Sequence, residues 1–276
     1  MKSIDERGKL DTLIEIFVAE VIGTALLMYF GCMGLFASTN GVKSLPPMQG
    51  GIIFGFVVSS LIVAFGHISK AHFNPSVTLC AYLLGTISAL TATMYFLAEC
   101  LGALLGVYLL KFTTPEELFE GYVNSTCGFC TTVLEPSLSI PQGFLIEFLA
   151  TSFLIYVVCS VWDPRNTENC DSVAIKFGLL IASLSIAAGP FTGASLNPVR
   201  SLAPAVINNK WRDHWIYWFA PLSGSAVTTT FYKFMFLRNV NSASSDNTSS
   251  SNQSIVLKAP KTNNEDQLNV KQQNLV

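Results

Sequence analysis

Two Asn-Pro pairs are the residues of this sequence best suited to selecting a solute. Asn74-Pro75-Ser76 follows Ala71-His72-Phe73, and Asn197-Pro198-Val199 follows Ala194-Ser195-Leu196 at matched spacing. Proline favours the first turn of a helix, and an asparagine before it caps the helix or presents its amide. Two such N-termini, each the positive end of a helix dipole, would repel cations and protons and offer hydrogen bonds to a neutral polar solute. One pair alone would be an ordinary loop turn, but two in matched positions predict a functional repeat.

Several ionisable residues lie inside or beside apolar stretches. Arg200 follows the second Asn-Pro pair, and an uncompensated arginine in a membrane segment is a functional candidate. Glu20 and Glu147 are predicted to be buried and to find partners in the protein interior, with scaffolding favoured over proton transfer. His67 and His72 flank the first pair, and we expect them to be buried residues that make structural or lumen hydrogen bonds instead of binding metal.

The cysteines do not form the spacing pattern of a disulfide framework. Cys127 and Cys130 make a CxxC motif in a polar loop, without a second CxxC or a histidine pair, which favours a loop disulfide or two free thiols over zinc or redox chemistry. Four others lie in apolar stretches and are expected to pack as small hydrophobes, namely Cys32, Cys80, Cys100 and Cys159. The sequence brings no nucleophile, base and orienting acid together, so we expect no enzyme activity, no metal and no cofactor.

The composition of the chain predicts a membrane protein. Half of the 276 residues are apolar and only 12% are charged, whereas soluble domains carry about 25% charge. The 16 Lys and Arg balance 18 Asp and Glu without a basic cluster, so no nucleic-acid partner is expected. The first eleven residues lack the apolar core of a cleavable signal, and we therefore expect the first apolar stretch to stay as a membrane anchor.

Apolar segments predict an all-α membrane protein with six tilted transmembrane helices and two re-entrant half-helices. A helix needs about 20 apolar residues to cross a bilayer, and six segments qualify: 12–36, 49–66, 88–110, 142–162, 173–190 and 214–236. Two shorter segments follow the Asn-Pro pairs, 74–84 and 197–207. Short segments of this kind are tolerated in a membrane when they are buried in protein or line a cavity.

The halves of the chain repeat. Glu20 to Thr24 resembles Glu147 to Thr151, and Gly102 corresponds to Gly224, at nearly the same offset as the Asn-Pro pairs. Each repeat, about 12–112 and 142–237, holds three spanning segments. Because three is odd, the second repeat must enter the membrane upside down, and the two Asn-Pro segments would meet near the middle.

The positive charges predict cytoplasmic termini. Cationic residues on the terminal side are Lys2, Arg7, Lys9, Lys70, Arg165, Lys176, Lys233 and Arg238, against Lys43, Lys111, Lys210 and Arg212 on the other side. We therefore predict a cytoplasmic N-terminus over 1–11, a channel domain over 12–238 and a disordered cytoplasmic tail over 239–276, which is poor in large apolar residues. Asn124 would be a glycosylation site in an outer loop.

Over residues 12–237 the chain resembles the aquaporin (major intrinsic protein) family. The resemblance is carried by Ala19-Glu20, Gly66 to Ser69, the Asn74-Pro75 and Asn197-Pro198 segments, Thr192-Gly193, Arg200-Ser201 and His214 to Trp218. It implies a multi-pass protein of the cell membrane, a homotetramer with one pore per subunit, and passive flow of small neutral solutes. It also implies that Glu20 and Glu147 accept backbone donors from the re-entrant loops. Ser76 and Val199 replace the usual alanines, and we still expect a working pore.

The same resemblance assigns the outer constriction to Phe54, Ser185, Ala194 and Arg200. Water-selective members have histidine where this chain has Ser185, so a wider filter is expected, passing glycerol and urea as well as water. Bacterial-type glycerol facilitators differ, because they have aspartate in place of Ser201 and lack the Tyr217-Trp218 pair. A water-type backbone with a widened filter resembles the insect entomoglyceroporins. The alternatives are a water-selective channel with little solute flux and a junctional membrane protein with a vestigial pore.

Overall fold

The regular structure is helical throughout the part of the chain that the computed structural model describes, residues 2–36, 47–123, 128–169 and 171–237. The α-helices are α1 (Lys2–Met33), α2 (Pro47–Ser69), α3 (Pro75–Leu84), α4 (Ala89–Thr113), α5 (Glu116–Val123), α6 (Ile140–Val161), α7 (Val173–Thr192), α8 (Pro198–Asn208) and α9 (Ile216–Tyr232). A 3₁₀ helix covers Pro164–Asn169, and a π-helical turn covers Lys233–Leu237. The predicted glycosylation site Asn124 and the predicted tail over 239–276 lie outside the described residues.

This is an all-α membrane fold of six long helices and two half-helices. Five helices within the described ranges are long and apolar enough to cross a membrane: α1 from Leu10, α2 from Met48, α4, α6 and α7. The sixth, α9, has 17 residues before the π-helical turn. Each predicted span corresponds to one of these helices. The sequence reading missed that helix α1 begins at Lys2, and it also missed helix α5 and the 3₁₀ helix.

Local chemistry explains where the half-helices begin. The Asn74 side chain accepts a hydrogen bond from the backbone N–H of Ser76 at 2.8 Å, and the Asn197 side chain does the same for Val199 at 3.1 Å. Pro75 and Pro198 occupy the first helical positions, where a missing N–H costs nothing. The two Asn-Pro pairs therefore each start a short helix, as their sequence predicted.

The long helices pack closely, and α2 crosses α7 at a pair of glycines. A methyl group at Gly55 would lie 2.3 Å from the carbonyl oxygen of Gly178, and one at Gly178 would lie 2.9 Å from that of Gly55. Small residues allow this backbone approach, as they do at many membrane helix interfaces. Large apolar side chains such as Val63 and Phe112 are instead exposed on the outer faces of the helices, where lipid would cover them.

A charged cluster closes the end of α6. The Arg165 guanidinium donates to both carboxylate oxygens of Asp163, at 2.9 and 2.6 Å, and the Tyr232 hydroxyl donates to the same carboxylate at 2.9 Å. The hydrogen bonds from Arg165 are the main reason that the pKa of Asp163 lies well below its usual range. Tyr232 ends α9, so this cluster ties the ends of α6 and α9 together.

Candidate functional site

The half-helices α3 and α8 meet at their N-termini through reciprocal hydrogen bonds. The Asn74 amide donates to the carbonyl oxygen of Leu196 at 2.9 Å, and the Asn197 amide donates to that of Phe73 at 2.8 Å. Each amide nitrogen has two hydrogens, and each of these bonds uses one. Both asparagines also line a cavity, so this junction presents amide donors to whatever enters it.

The loops before the half-helices have an unusual backbone conformation. Ala71 and Phe73 have φ values of 54° and 50°, and Ala194 and Leu196 have φ values of 47° and 52°. Residues other than glycine rarely adopt this left-handed region, because the Cβ crowds the following carbonyl group. The two loops therefore repeat the same strained geometry at corresponding positions.

Glu20 satisfies the backbone of the first loop. Its carboxylate accepts from the backbone N–H groups of His72 at 3.0 Å and Phe73 at 2.7 Å, and from the Ser69 hydroxyl at 2.6 Å. Tyr95 adds a bond, since its hydroxyl donates to the Ser69 carbonyl at 2.6 Å. The sequence analysis missed Tyr95, although it lies 122 residues before Tyr217, which has the matching role in the second repeat.

Glu147 does the same for the second loop. Its carboxylate accepts from the backbone N–H groups of Ser195 and Leu196, both at 2.9 Å, and from the Thr192 hydroxyl at 2.6 Å. The Tyr217 hydroxyl donates to the Thr192 carbonyl at 2.9 Å. Both glutamates are fully buried and make the backbone contacts that the family resemblance implied. Their oxygens are engaged with the loops, which fits scaffolding.

A cavity of about 610 Å³ passes beside this junction. Its lining includes residues 128–131, from the loop before α6, and Trp162, which follows α6, and most of its wall is apolar. The four residues predicted for the outer constriction all line it: Phe54, Ser185, Ala194 and Arg200. They come from α2, α7, the loop before α8, and α8, so four separate elements contribute to this cavity.

Arg200 lines this cavity, and its guanidinium is held in place by contacts with the protein. One guanidinium nitrogen donates to the carbonyl oxygen of Cys130 at 2.6 Å, and the guanidinium carbon lies 5.1 Å from the centre of the Phe54 ring. Only 8% of Arg200 is exposed. An arginine has five N–H donors in a rigid fork, so this group can hold its protein partners and still donate to a solute. The Phe54 ring supplies an apolar surface beside it.

The two histidines have different environments. His72 is buried, lines the cavity, stacks on Tyr95 with ring centres 4.3 Å apart, and contacts the Thr78 hydroxyl through Nδ1 at 3.0 Å. The prediction that His67 is buried is wrong, because its side chain is exposed near the end of α2. Ser69, two residues later, is buried against Glu20, so His67 lies on the outer side of that turn.

Ser76 and Val199, which replace the usual alanines, are both fully buried. The Ser76 carbonyl accepts a hydrogen bond from the Ser225 hydroxyl at 2.6 Å, which ties α3 to α9. Neither residue is among the described residues that line the cavity. Both side chains are therefore packed inside the protein, away from the cavity wall.

The cysteine predictions need correction. Cys32 was expected to pack as a small hydrophobe, and Cys130 to pair with Cys127 or stay free, but Cys32 and Cys130 form a disulfide. The last turn of α1 brings Cys32 to the loop that contains Cys130, with Cα atoms 5.5 Å apart. A link between residues 98 positions apart has no local sequence signal. Cys80, Cys100 and Cys159 are free thiols.

Known proteins of one family are similar to this chain. The family model described as Major intrinsic protein matches residues 9–232. Mouse aquaporin-4 is 31% identical over 225 residues, which cover 80% of this chain and 67% of that protein. Bovine aquaporin-4 is 33% identical over 68% of this chain, although the match spans only 56% of its length. Human aquaporin-2 is 34% identical over 79% of this chain and 77% of its own.

A solved structure is similar in fold. The X-ray structure of the aquaglyceroporin from Plasmodium falciparum superposes with a TM-score of 0.71, covering 83% of this chain and 98% of that one. The two sequences are 24% identical, so the likeness is one of fold.

Proposed function

The chain belongs to the major intrinsic protein family, whose members are membrane channels and not enzymes, and we propose that this channel is passive. It conducts glycerol and urea as well as water. Ions and protons are excluded. The observation that carries this proposal is that Phe54, Ser185, Ala194 and Arg200 all line one cavity. Serine and alanine are small, so they leave room beside the guanidinium for a molecule larger than water.

Glycerol suits the chemistry of this wall. Each hydroxyl that loses its water without gaining a partner costs about 2–7 kcal/mol, so a pore must replace those bonds. The Arg200 guanidinium and the Ser185 hydroxyl are donors on the polar side, and the Phe54 ring is an apolar surface for the carbon chain. Urea, with a carbonyl and two amides, can use the same donors.

Exclusion of charge rests on the two half-helices. The N-termini of α3 and α8 meet beside the cavity, and each carries the positive end of a helix dipole, about half an elementary charge. Arg200 adds a full positive charge close by. A cation or proton would have to pass three positive groups in a wall that is otherwise mostly apolar, whereas a neutral solute would receive hydrogen bonds from Asn74 and Asn197.

A water-selective channel is the second candidate. The similar proteins named aquaporin-4 and aquaporin-2 favour it. Ser185 favours the wider filter, because water-selective members of the family have histidine there. A chain that is similar to water channels but has a small residue at this position resembles the insect entomoglyceroporins, which supports the wider filter.

The proposal includes a setting in the cell membrane with cytoplasmic termini. The Cys32–Cys130 disulfide lies at the opposite end of α1 from Lys2, and disulfides persist in oxidising compartments such as the cell exterior. This supports the orientation that the positive charges predict. A homotetramer in the lipid bilayer, glycosylation at Asn124 and a solubilising tail over 239–276 are further parts of the proposal.

Swelling of liposomes tests the solute selectivity. In stopped-flow assays at matched protein content, the wild type should swell in glycerol and urea, and Ser185→His should lose most of both fluxes while keeping water flux. The matched control is Ser185→Ala, which removes the hydroxyl without adding bulk and should lose less glycerol and urea flux than Ser185→His does. Glycerol flux unchanged by Ser185→His would contradict the proposed filter, and a wild type that passes water but no glycerol would favour the water-selective alternative.

A further inference from the structure

The Cys32–Cys130 disulfide joins the last turn of α1 to the wall of the cavity. Cys32 is fully buried, and Cys130 lines the cavity between Phe129 and Thr131. The family resemblance does not account for this bond, and the sequence reading did not expect it.

Cys130 holds the Arg200 guanidinium. Its carbonyl oxygen accepts from the guanidinium at 2.6 Å, and its sulfur lies 3.5 Å from the same nitrogen. Cys130 has a φ of 57°, in the left-handed region that costs free energy for any residue with a Cβ. The Cys130 carbonyl therefore reaches Arg200 only while the backbone of Cys130 keeps this unfavourable conformation, and other contacts of the protein must stabilise it.

The neighbours of Cys130 are held by other contacts. The Asn208 amide donates to the Phe129 carbonyl at 2.6 Å and to the Thr131 hydroxyl at 2.7 Å. The Phe129 ring stacks on Phe36, with centres 4.1 Å apart. These contacts fix the residues on either side, and the disulfide ties Cys130 itself to α1.

The turn of α1 that carries Cys32 also positions the Phe54 ring. A methyl group on Gly31 would lie 2.5 Å from a ring carbon of Phe54, so the absence of a side chain there makes room for the ring. Residues 31 and 32 thus reach both partners of the arginine-aromatic pair, Phe54 by contact and Arg200 through the disulfide and the Cys130 carbonyl.

We infer that the Cys32–Cys130 disulfide is a positioning element of the solute filter, which holds the Cys130 carbonyl against Arg200 and so sets how well glycerol and urea pass relative to water. The inference rests on the proposed channel function. Without the bond, Cys130 relaxes out of the left-handed region and its carbonyl leaves the guanidinium. A buried cation that has lost an acceptor turns toward the water of the cavity, which narrows the path for glycerol more than for water.

The test compares oxidised and reduced protein of the full chain in liposomes. Dithiothreitol converts the disulfide to two thiols while it is itself oxidised to a cyclic disulfide, and the mass of the alkylated protein shows whether the bond has opened. The glycerol-to-water permeability ratio of the wild type should fall about tenfold, the factor that a charge-assisted hydrogen bond contributes to an equilibrium. Reoxidation should restore it.

Three variants separate positioning from general stability. Cys32→Ser with Cys130→Ser should show the low ratio with and without reductant, which also decides the matter if dithiothreitol does not reach the bond. Cys32→Ser with Cys130→Gly should have a higher glycerol-to-water ratio than the double serine variant, because glycine adopts positive φ without a steric cost. Cys80→Ser with Cys159→Ser is the matched control for loss of two buried cysteines, and it should respond to reductant as the wild type does.

The outcomes are distinct. A glycerol-to-water ratio that is unchanged or raised when the bond is opened or removed would overturn the inference. A lowered ratio that glycine at position 130 fails to improve over serine would overturn the backbone mechanism. If the oxidised wild type passes neither water nor glycerol faster than protein-free liposomes, the proposed function fails, and the inference fails with it.

Discussion

Each of the two buried glutamates, Glu20 and Glu147, accepts hydrogen bonds from two consecutive backbone amides of a loop in a strained conformation. A carboxylate suits this position because both of its oxygens are acceptors. These residues do not line the cavity, yet they hold the loops whose carbonyl groups meet the asparagine amides. At the scale of single residues, the geometry of the cavity wall depends on groups behind it.

Glu147→Gln should therefore destabilise the second loop. Glutamine keeps one acceptor oxygen and puts an NH₂ group where the other was, so one backbone N–H of the loop loses its partner. A buried donor left unsatisfied costs about 1–3 kcal/mol, which should lower the thermal unfolding midpoint in detergent. The control is Glu135→Gln, a change at an exposed glutamate, which should leave the midpoint unchanged. Equal effects of the two substitutions would contradict the role given to Glu147.

Mercurial block gives a second prediction at this scale. Family members are commonly blocked through a cysteine three residues before the second Asn-Pro pair, where this chain has Ala194. The free thiols of Cys80 and Cys159 are buried, and neither is among the described residues that line the cavity. Organomercurials should therefore inhibit water flux weakly in the wild type and strongly in Ala194→Cys. Strong block of the wild type that survives Cys80→Ser would show that another thiol faces the cavity.

At the scale of elements, the crossing of α2 and α7 sets the width of the cavity. Phe54 lies next to Gly55 on α2, and Ser185 is on α7, so the separation of these helices fixes how far apart the two side chains are. The backbones touch at Gly55 and Gly178, with no room for a side chain. Any residue that pushes the helices apart should change both stability and selectivity.

Gly55→Ala tests this crossing. Its methyl group would lie 2.3 Å from the Gly178 carbonyl oxygen and 2.7 Å from the Ala182 Cβ, so the helices must separate, at a cost of about 1–3 kcal/mol for overpacking. Gly66→Ala is the matched control on the same helix, because its nearest atom is 3.5 Å away and alanine favours a helix over glycine by about 0.5–1 kcal/mol. We expect a lower unfolding midpoint and an altered glycerol-to-water ratio for Gly55→Ala only. A midpoint unchanged by Gly55→Ala would contradict the close crossing.

The sequence predicted the elements better than the contacts between distant residues. Spans and half-helices could be located because hydrophobic length and the Asn-Pro caps act locally. The Cys32–Cys130 pairing could not be predicted, since it depends on where α1 ends relative to a loop far along the chain. The position of His67 was misjudged for a related reason: its neighbour Ser69 faces Glu20, and only the packed structure shows which side of that turn is inside.

At the scale of the whole molecule, the two halves of the chain make matched contacts. Glu20, Ser69 and Tyr95 in the first half correspond to Glu147, Thr192 and Tyr217 in the second, and the asparagine amides exchange hydrogen bonds across the junction. The halves differ where selectivity is proposed, since His72 in the first half corresponds to Ser195 in the second, and Arg200 corresponds to the uncharged Val77. The hydrogen bonds that hold the two loops are thus nearly symmetric between the halves, whereas the residues that line the cavity are not.

The channel is proposed to pass neutral solutes and to exclude charge. The most direct measurement follows glycerol and water swelling of reconstituted liposomes together with proton entry, reported by an internal pH-sensitive dye under an imposed pH gradient. We predict swelling in glycerol well above that of protein-free liposomes, with proton entry equal to theirs. Proton entry that rises in proportion to water flux would contradict the barrier assigned to the α3 and α8 dipoles and Arg200, and with it the proposed exclusion of charge from this cavity.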